Sequence, residues 1–108
     1  MKRNRQSGLG KIDVAGRQEA ARALAIVALG FIASDTTELS RFLALTGIDH
    51  RAIRTAVKEP GFLGGVLAYI AGNERTLLAF AAHAGVAPEE IGKARIILAG
   101  ADWERDAP

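Results

Sequence analysis

Residues 39–56 read LSRFLALTGIDHRAIRTA, and a version of this stretch returns 38 residues later as LLAFAAHAGVAPEEIGKA, residues 77–94. Leu39 falls on Leu77, Phe42 on Phe80, Gly47 on Gly85, Ile48 on Val86, Ile53 on Ile91 and Ala56 on Ala94. In each copy, apolar residues three and four apart mark one face of a helix. The glycine can take the left-handed backbone that closes a helix, and the apolar residue after it can fold back on the last turn. Each copy therefore predicts helix, glycine stop, short turn, helix. Two copies are too few for a stacked array, so the expectation is a duplicated helix–Gly–helix hairpin inside one domain.

Upstream of the first copy, Asp13 is the expected N-cap of a long first helix, residues 14–33. From Ala23 onward this helix is apolar on every side: Leu24, Ile26, Val27, Leu29, Phe31 and Ile32 share no single face. That pattern predicts a buried helix with the others packed around it. Asp35 with Glu38 forms a capping-box-like start to the second helix, whose face is Leu39, Phe42, Leu43 and Thr46. Asp49 caps a third helix, residues 50–59, which Pro60 and Gly61 end.

A fourth helix, residues 62–71, carries Leu63, Val66, Leu67 and Ile70 on one face. Gly64 and Gly65 inside it each weaken it by roughly 1 kcal/mol relative to alanine, which predicts a close helix crossing there. Gly72 and Asn73 stop one helix and cap the next, residues 74–84. Pro88 suits the first turn of a sixth helix, residues 88–98, which buries Ile91, Ala94 and Leu98 and stops at Gly100. Trp103 is expected to dock on the helices. The predicted fold class is all-α: a compact single-domain bundle of five to six short helices around a buried first helix. The helical domain spans 13–103, between a disordered basic tail (1–12) and a short C-terminal tail (104–108).

Composition agrees with this class. Nearly half of the 108 residues are hydrophobic and 24% are charged, as in an ordinary globular domain. The net charge of +2 is unevenly placed. Residues 1–11 hold Lys2, Arg3, Arg5 and Lys11 with no acid, leaving 10 basic against 12 acidic residues in the remainder. A basic terminus points towards polyanions, or simply to a solvated end. With no cysteine, disulfides and thiolate chemistry are excluded. The longest apolar run, residues 23–33, is about half of a membrane span. The expected setting is cytoplasmic.

Catalytic signals are few. His50 and His83 stand far apart in sequence, and no metal-ligand spacing or phosphate-loop pattern surrounds either of them. Glu89 and Glu90 are adjacent on a helix, point apart and suit the positive end of its dipole. His83 lies on a mostly apolar helix, where a packed or rim role is expected. The expectation is therefore a non-enzymatic chain with no cofactor, metal or evident small-molecule substrate.

Two binding readings remain. The spacing of Phe42, Gly47, Ile48 and Ile53 is that of a helix-turn-helix, and Phe80, Gly85, Val86 and Ile91 repeat it. Ala81 is small enough for the close crossing of such a unit, whereas Leu43 is not. After Gly47, Arg51, Arg54 and Lys58 fall on one side of the expected third helix, away from Ile53 and Val57, as candidate contacts to nucleic acid or another partner. After Gly85, Glu89 and Glu90 would repel a nucleic-acid groove. The other reading is a protein-interaction module, binding an unknown protein or itself, with Phe62 and Tyr69 as candidate contacts.

The segments RFLALTG, LLAFAAHAG and ARIILAG, together with Ala28-Leu29-Gly30-Phe31 and Pro88, resemble a family of small uncharacterised helical proteins, mostly alphaproteobacterial, grouped as a domain of unknown function. The resemblance covers residues 20–100. It implies a bacterial, cytoplasmic, single-domain protein, and it brings no catalytic residues with it. His50 stands where the second copy has Pro88, a departure that affects only the cap.

Overall fold

In the computed structural model the backbone is described over residues 2–106 and the side chains over residues 16–100. Six α-helices and one 3-10 turn follow in order, with no strand among the described residues. They are α1 (Lys2–Ala33), α2 (Thr36–Thr46), the 3-10 turn (His50–Ala52), α3 (Ile53–Ala56), α4 (Pro60–Ala71), α5 (Glu74–Ala84) and α6 (Pro88–Asp106).

The duplicated hairpin is present, and its local chemistry explains it. α2 and α5 are both 11 residues long and sit 38 positions apart. The Asp35 carboxylate accepts from the backbone N–H of Thr37 (2.9 Å) and Glu38 (3.2 Å); the Asn73 side chain accepts from Thr76 N–H at 3.1 Å. These bonds satisfy donors that a helix start leaves without partners. Gly47 (φ 70°) and Gly85 (φ 71°) close the two helices in the left-handed region. Phe42 and Phe80 are both fully buried. The stops differ in one respect. The Val86 N–H reaches Ala81 O at 3.0 Å, whereas the Ile48 N–H is taken by Thr46 Oγ1 at 3.4 Å. Ala84, the counterpart of Thr46, has no hydroxyl to offer. Val86 accordingly packs on the core, as expected, and Ile48 does not join it.

The centre of the domain is α4 rather than α1. Leu63, Val66, Leu67 and Ile70 are all fully buried, and α4 packs against α1, α5 and most extensively α6. The first helix buries one stripe, Ala21, Ala25, Ala28 and Ile32, while Ile26 and Val27 remain 50% and 44% exposed. Its all-round apolar sequence predicted burial all round. A chain of this length has too few helices to enclose two of them, and α4, shorter and glycine-rich, takes the interior place.

The relation between the two copies extends upstream of the hairpins. Ala28 corresponds to Val66, Ile32 to Ile70, Phe31 to Tyr69 and Asp35 to Asn73, so that residues 22–47 and 60–85 form two corresponding units; the segments after the glycine stops differ, since α6 packs extensively on α4 and α1 and the short α3 does not. Their contacts are exchanged. The Phe31 ring lies 5.4 Å from that of Phe80, and the Tyr69 ring lies 5.3 Å from that of Phe42. Tyr69 is the counterpart of Phe31, and Phe42 that of Phe80. Stacked repeats would give only one of these contacts. Having both is the signature of two units facing each other about a pseudo-twofold axis, the isologous arrangement of a symmetric dimer.

Several expected boundaries are corrected. α1 runs through Asp13, which therefore does not cap it, and the expected tail boundary at Ile12 falls within the helix; the side chains before Gly16 lie outside the described residues. No proline interrupts that segment, and its Lys, Arg and Gln are good helix formers. The expected third helix is only the 3-10 turn and the four-residue α3, because Pro60 begins α4 as an N1 residue instead of merely ending what precedes it. α6 continues past Gly100 to Asp106. Trp103 lies outside the described side chains. A Cβ on Gly64 would meet Leu98 Cβ at 3.7 Å, an ordinary contact, and one on Gly65 would meet nothing within 4 Å, so neither glycine serves a tight crossing.

The radius of gyration is 15.2 Å and the extents are 53 × 35 × 19 Å. A compact chain of this length has a radius of about 13 Å. The excess comes from α1, whose 32 residues span about 48 Å at 1.5 Å per residue.

Candidate functional site

Three surface features hold most of the chemistry. One is a groove of about 590 Å³ between α1 and α6. Arg17, Ala20, Ala21 and Leu24 recur at helical spacing on α1 and face Glu90, Lys93, Ala94, Ile96 and Ile97 of α6. Ala21 and Ala94 are buried, and their small side chains leave the depression. Ile96 is 66% exposed. Lys93 Nζ lies 3.5 Å from Glu90 Oε2, so the α6 rim is internally neutralised. Sequence reasoning missed this groove. Its signal was present in the run Ile96-Ile97-Leu98, since three successive apolar residues on one helix cannot share a face. Leu98 goes inward, Ile97 is half-buried and Ile96 points out.

The second feature is a cleft of about 320 Å³ where α2 meets α4 and the start of α5. The Tyr69 hydroxyl donates to Glu38 Oε1 at 2.7 Å, and Arg41 Nη1 donates to Glu38 Oε2 at 3.1 Å. Burial raises the Tyr69 pKa above 10.0, reinforced by the hydrogen bond and the charge of Glu38 and opposed by Arg41. The phenol is thereby held in its neutral form, and both carboxylate oxygens are engaged. The arrangement tethers α2 to α4. Glu38, expected to complete a capping box, is used for this tether.

The third feature is the basic segment. Arg51 lies in the 3-10 turn, Arg54 in α3 and Lys58 in the turn after it, all three exposed. Asp49 accepts from the Arg51 backbone N–H at 2.8 Å, and no ion pair to any of the three cations is formed among the described residues. The three were expected along one helix. α3 is a single turn, so they sit on three successive short pieces of backbone and no groove-reading helix forms.

Phe62 and Tyr69, expected as contact residues, are packing residues: both rings meet Phe42 edge-on, at 5.9 and 5.3 Å. His83 is at the rim, exposed, its ring 5.1 Å from that of Phe31. No cluster of three or more metal-ligating side chains occurs among the described residues. Nor is any single helix among them long and apolar enough to cross a membrane.

Residues 18–101 fit the profile of a family described as "Protein of unknown function (DUF3572)". No curated protein and no solved structure matches the chain. The matched span includes both copies of the hairpin and every groove residue except Arg17.

Proposed function

The chain belongs to this family of proteins of unknown function, and we propose that it acts as a non-enzymatic protein-interaction module docking its partner in the α1–α6 groove. The observation that carries this reading is the exposed Ile96 and half-buried Leu24 and Ile97 beside a depression floored by Ala21 and Ala94. From Arg17 to Leu24 the α1 wall spans about 10 Å, enough for two turns of an amphipathic helix laid in the groove. The neutralised rim of Glu90 and Lys93 favours an apolar recognition face over a charged one. The expectation of a bacterial, cytoplasmic setting rests on the family resemblance.

Selection of amphipathic helical peptides against the folded chain tests this. The binders should shift amides of residues 17–24 and 93–97 and weaken tenfold or more with Ile96→Glu, a change at an exposed position that leaves the helical spectrum intact. Binders that map elsewhere and ignore Ile96→Glu would refute the groove.

A second reading has its own observation, the three exposed cations Arg51, Arg54 and Lys58, which form no ion pair among the described residues. With no helix to read bases, their use would be phosphate contact. Duplex affinity would then fall with salt with a log–log slope of about −2.7, and Arg54→Ala would reduce that slope by about 0.9. A slope unchanged by Arg54→Ala would exclude these residues.

A further inference from the structure

α1 is apolar on two sides, and the fold uses only one of them. Ala21, Ala25, Ala28 and Ile32 enter the core. On the side of the helix turned away from them stand Ala23, Ile26, Val27 and Gly30, at i, i+3, i+4 and i+7. All four are exposed, Ile26 by 50% and Val27 by 44%. No charged residue occurs from Ala23 to the end of α1 at Ala33, about three turns of helix. A glycine inside a helix weakens it relative to alanine. A Cβ at Gly30 would meet nothing within 4 Å, so no contact inside the chain requires glycine there.

Residues at i, i+3, i+4 and i+7 bound the hole that receives a side chain when two helices pack. Here the ends of the hole are the small Ala23 and Gly30, which let a second backbone come close, and its waist carries the branched Ile26 and Val27. The hole and the side chains that would fill one thus lie on the same four residues, so the face is complementary to itself across a two-fold axis. We propose that a second copy of this chain covers it, the two α1 helices crossing antiparallel near Ile26 and Val27. Charge sets the direction. Glu19 lies on the same side of α1, about one turn before Ala23, with its side chain 80% exposed. A parallel pair would bring the two Glu19 carboxylates together along the seam. A two-fold through residues 26 and 27 holds them roughly 20 Å apart along the helices, beyond the reach of unscreened repulsion. It also carries the four basic residues of 1–11 in each chain to opposite ends. None of Ala23, Ile26, Val27 and Gly30 lines the groove, so the proposal stands apart from the groove reading and from the basic segment.

The test is the mass of the full chain in sedimentation equilibrium, which should rise from 11.4 kDa towards twice that value with concentration. Ile26→Glu sets a carboxylate at the crossing and should weaken the dimer tenfold or more. Gly30→Gln is the second variant. The single chain has room for its side chain and the helix gains propensity, so the fold is kept while the hole is filled, and the dimer should again be lost. Because the chain has no cysteine, Ile26→Cys should oxidise to a covalent dimer and Glu19→Cys should not. A mass that stays at 11.4 kDa up to millimolar concentration, with or without binding to lipid vesicles, overturns the proposal. So does a dimer that survives both Ile26→Glu and Gly30→Gln, or one that Glu19→Cys cross-links as readily as Ile26→Cys.

Discussion

Tyr69 ties α2 to α4 through one phenol proton, shared with Glu38 across 31 residues of sequence. Replacing it by phenylalanine keeps the ring against Phe42 and removes only that hydrogen bond, so Tyr69→Phe should cost about 1 kcal/mol in denaturant unfolding. The same bond sets a pH dependence. Because the folded pKa of Tyr69 is raised above 10.0, the neutral phenol stabilises the fold fully below about pH 10. That contribution is lost as pH rises through the folded value. Stability of the wild type should therefore fall in this alkaline range more than that of Tyr69→Phe, and parallel curves would contradict the assignment. At the helix stops the decisive quantity is φ. Gly47 and Gly85 have open space where a Cβ would go, yet both sit near +70°, where a side chain costs about 1 kcal/mol. Gly47→Ala and Gly85→Ala should each lower stability by that amount, and Gly47→Asn by less.

Among the elements, α4 holds a reserve of stability. Gly65 lies in the helix interior with nothing within 4 Å of a Cβ, so Gly65→Ala should stabilise by about 0.5–1 kcal/mol through helix propensity alone. A melting temperature that falls would mean that this face is covered. α2 and α5 were legible from sequence to the residue, because Asp35, Asn73, Gly47 and Gly85 each state a local requirement that the backbone meets on its own. Pro60 was ambiguous: the same fixed φ that ends one helix begins another, and only the packing of α4 decides which. The reduction of the third helix to α3 follows from that choice. The burial of α1 was not legible either. Ile26 and Val27 look like core residues, but exposure depends on how many helices the chain can place around α1, a property that no local window contains. The groove lay in the same blind spot, since Ala20 and Ala94 take on meaning only once α1 and α6 are side by side.

At the scale of the whole molecule, one geometric statement organises the rest. The helix pairs α1–α2 and α4–α5 face each other about a pseudo-twofold axis over residues 22–47 and 60–85, α6 lies across α4 and α1 without a counterpart in the first copy, and the groove is what remains open beside it. The sequence repeat was visible in Phe42–Gly47 and Phe80–Gly85, but a repeat is equally compatible with stacking and with facing pairs. The aromatic contacts distinguish the two, because Phe31 and Tyr69 each cross to the other unit. The most direct measurement is an aromatic-edited nuclear Overhauser experiment on the labelled chain in solution. Cross-peaks between Phe31 and Phe80 and, equally, between Tyr69 and Phe42 are predicted, at ring separations near 5.4 and 5.3 Å. A spectrum of the folded chain with one pair in contact and the other apart would contradict the pseudo-twofold arrangement, leaving the repeat as two hairpins in unrelated surroundings.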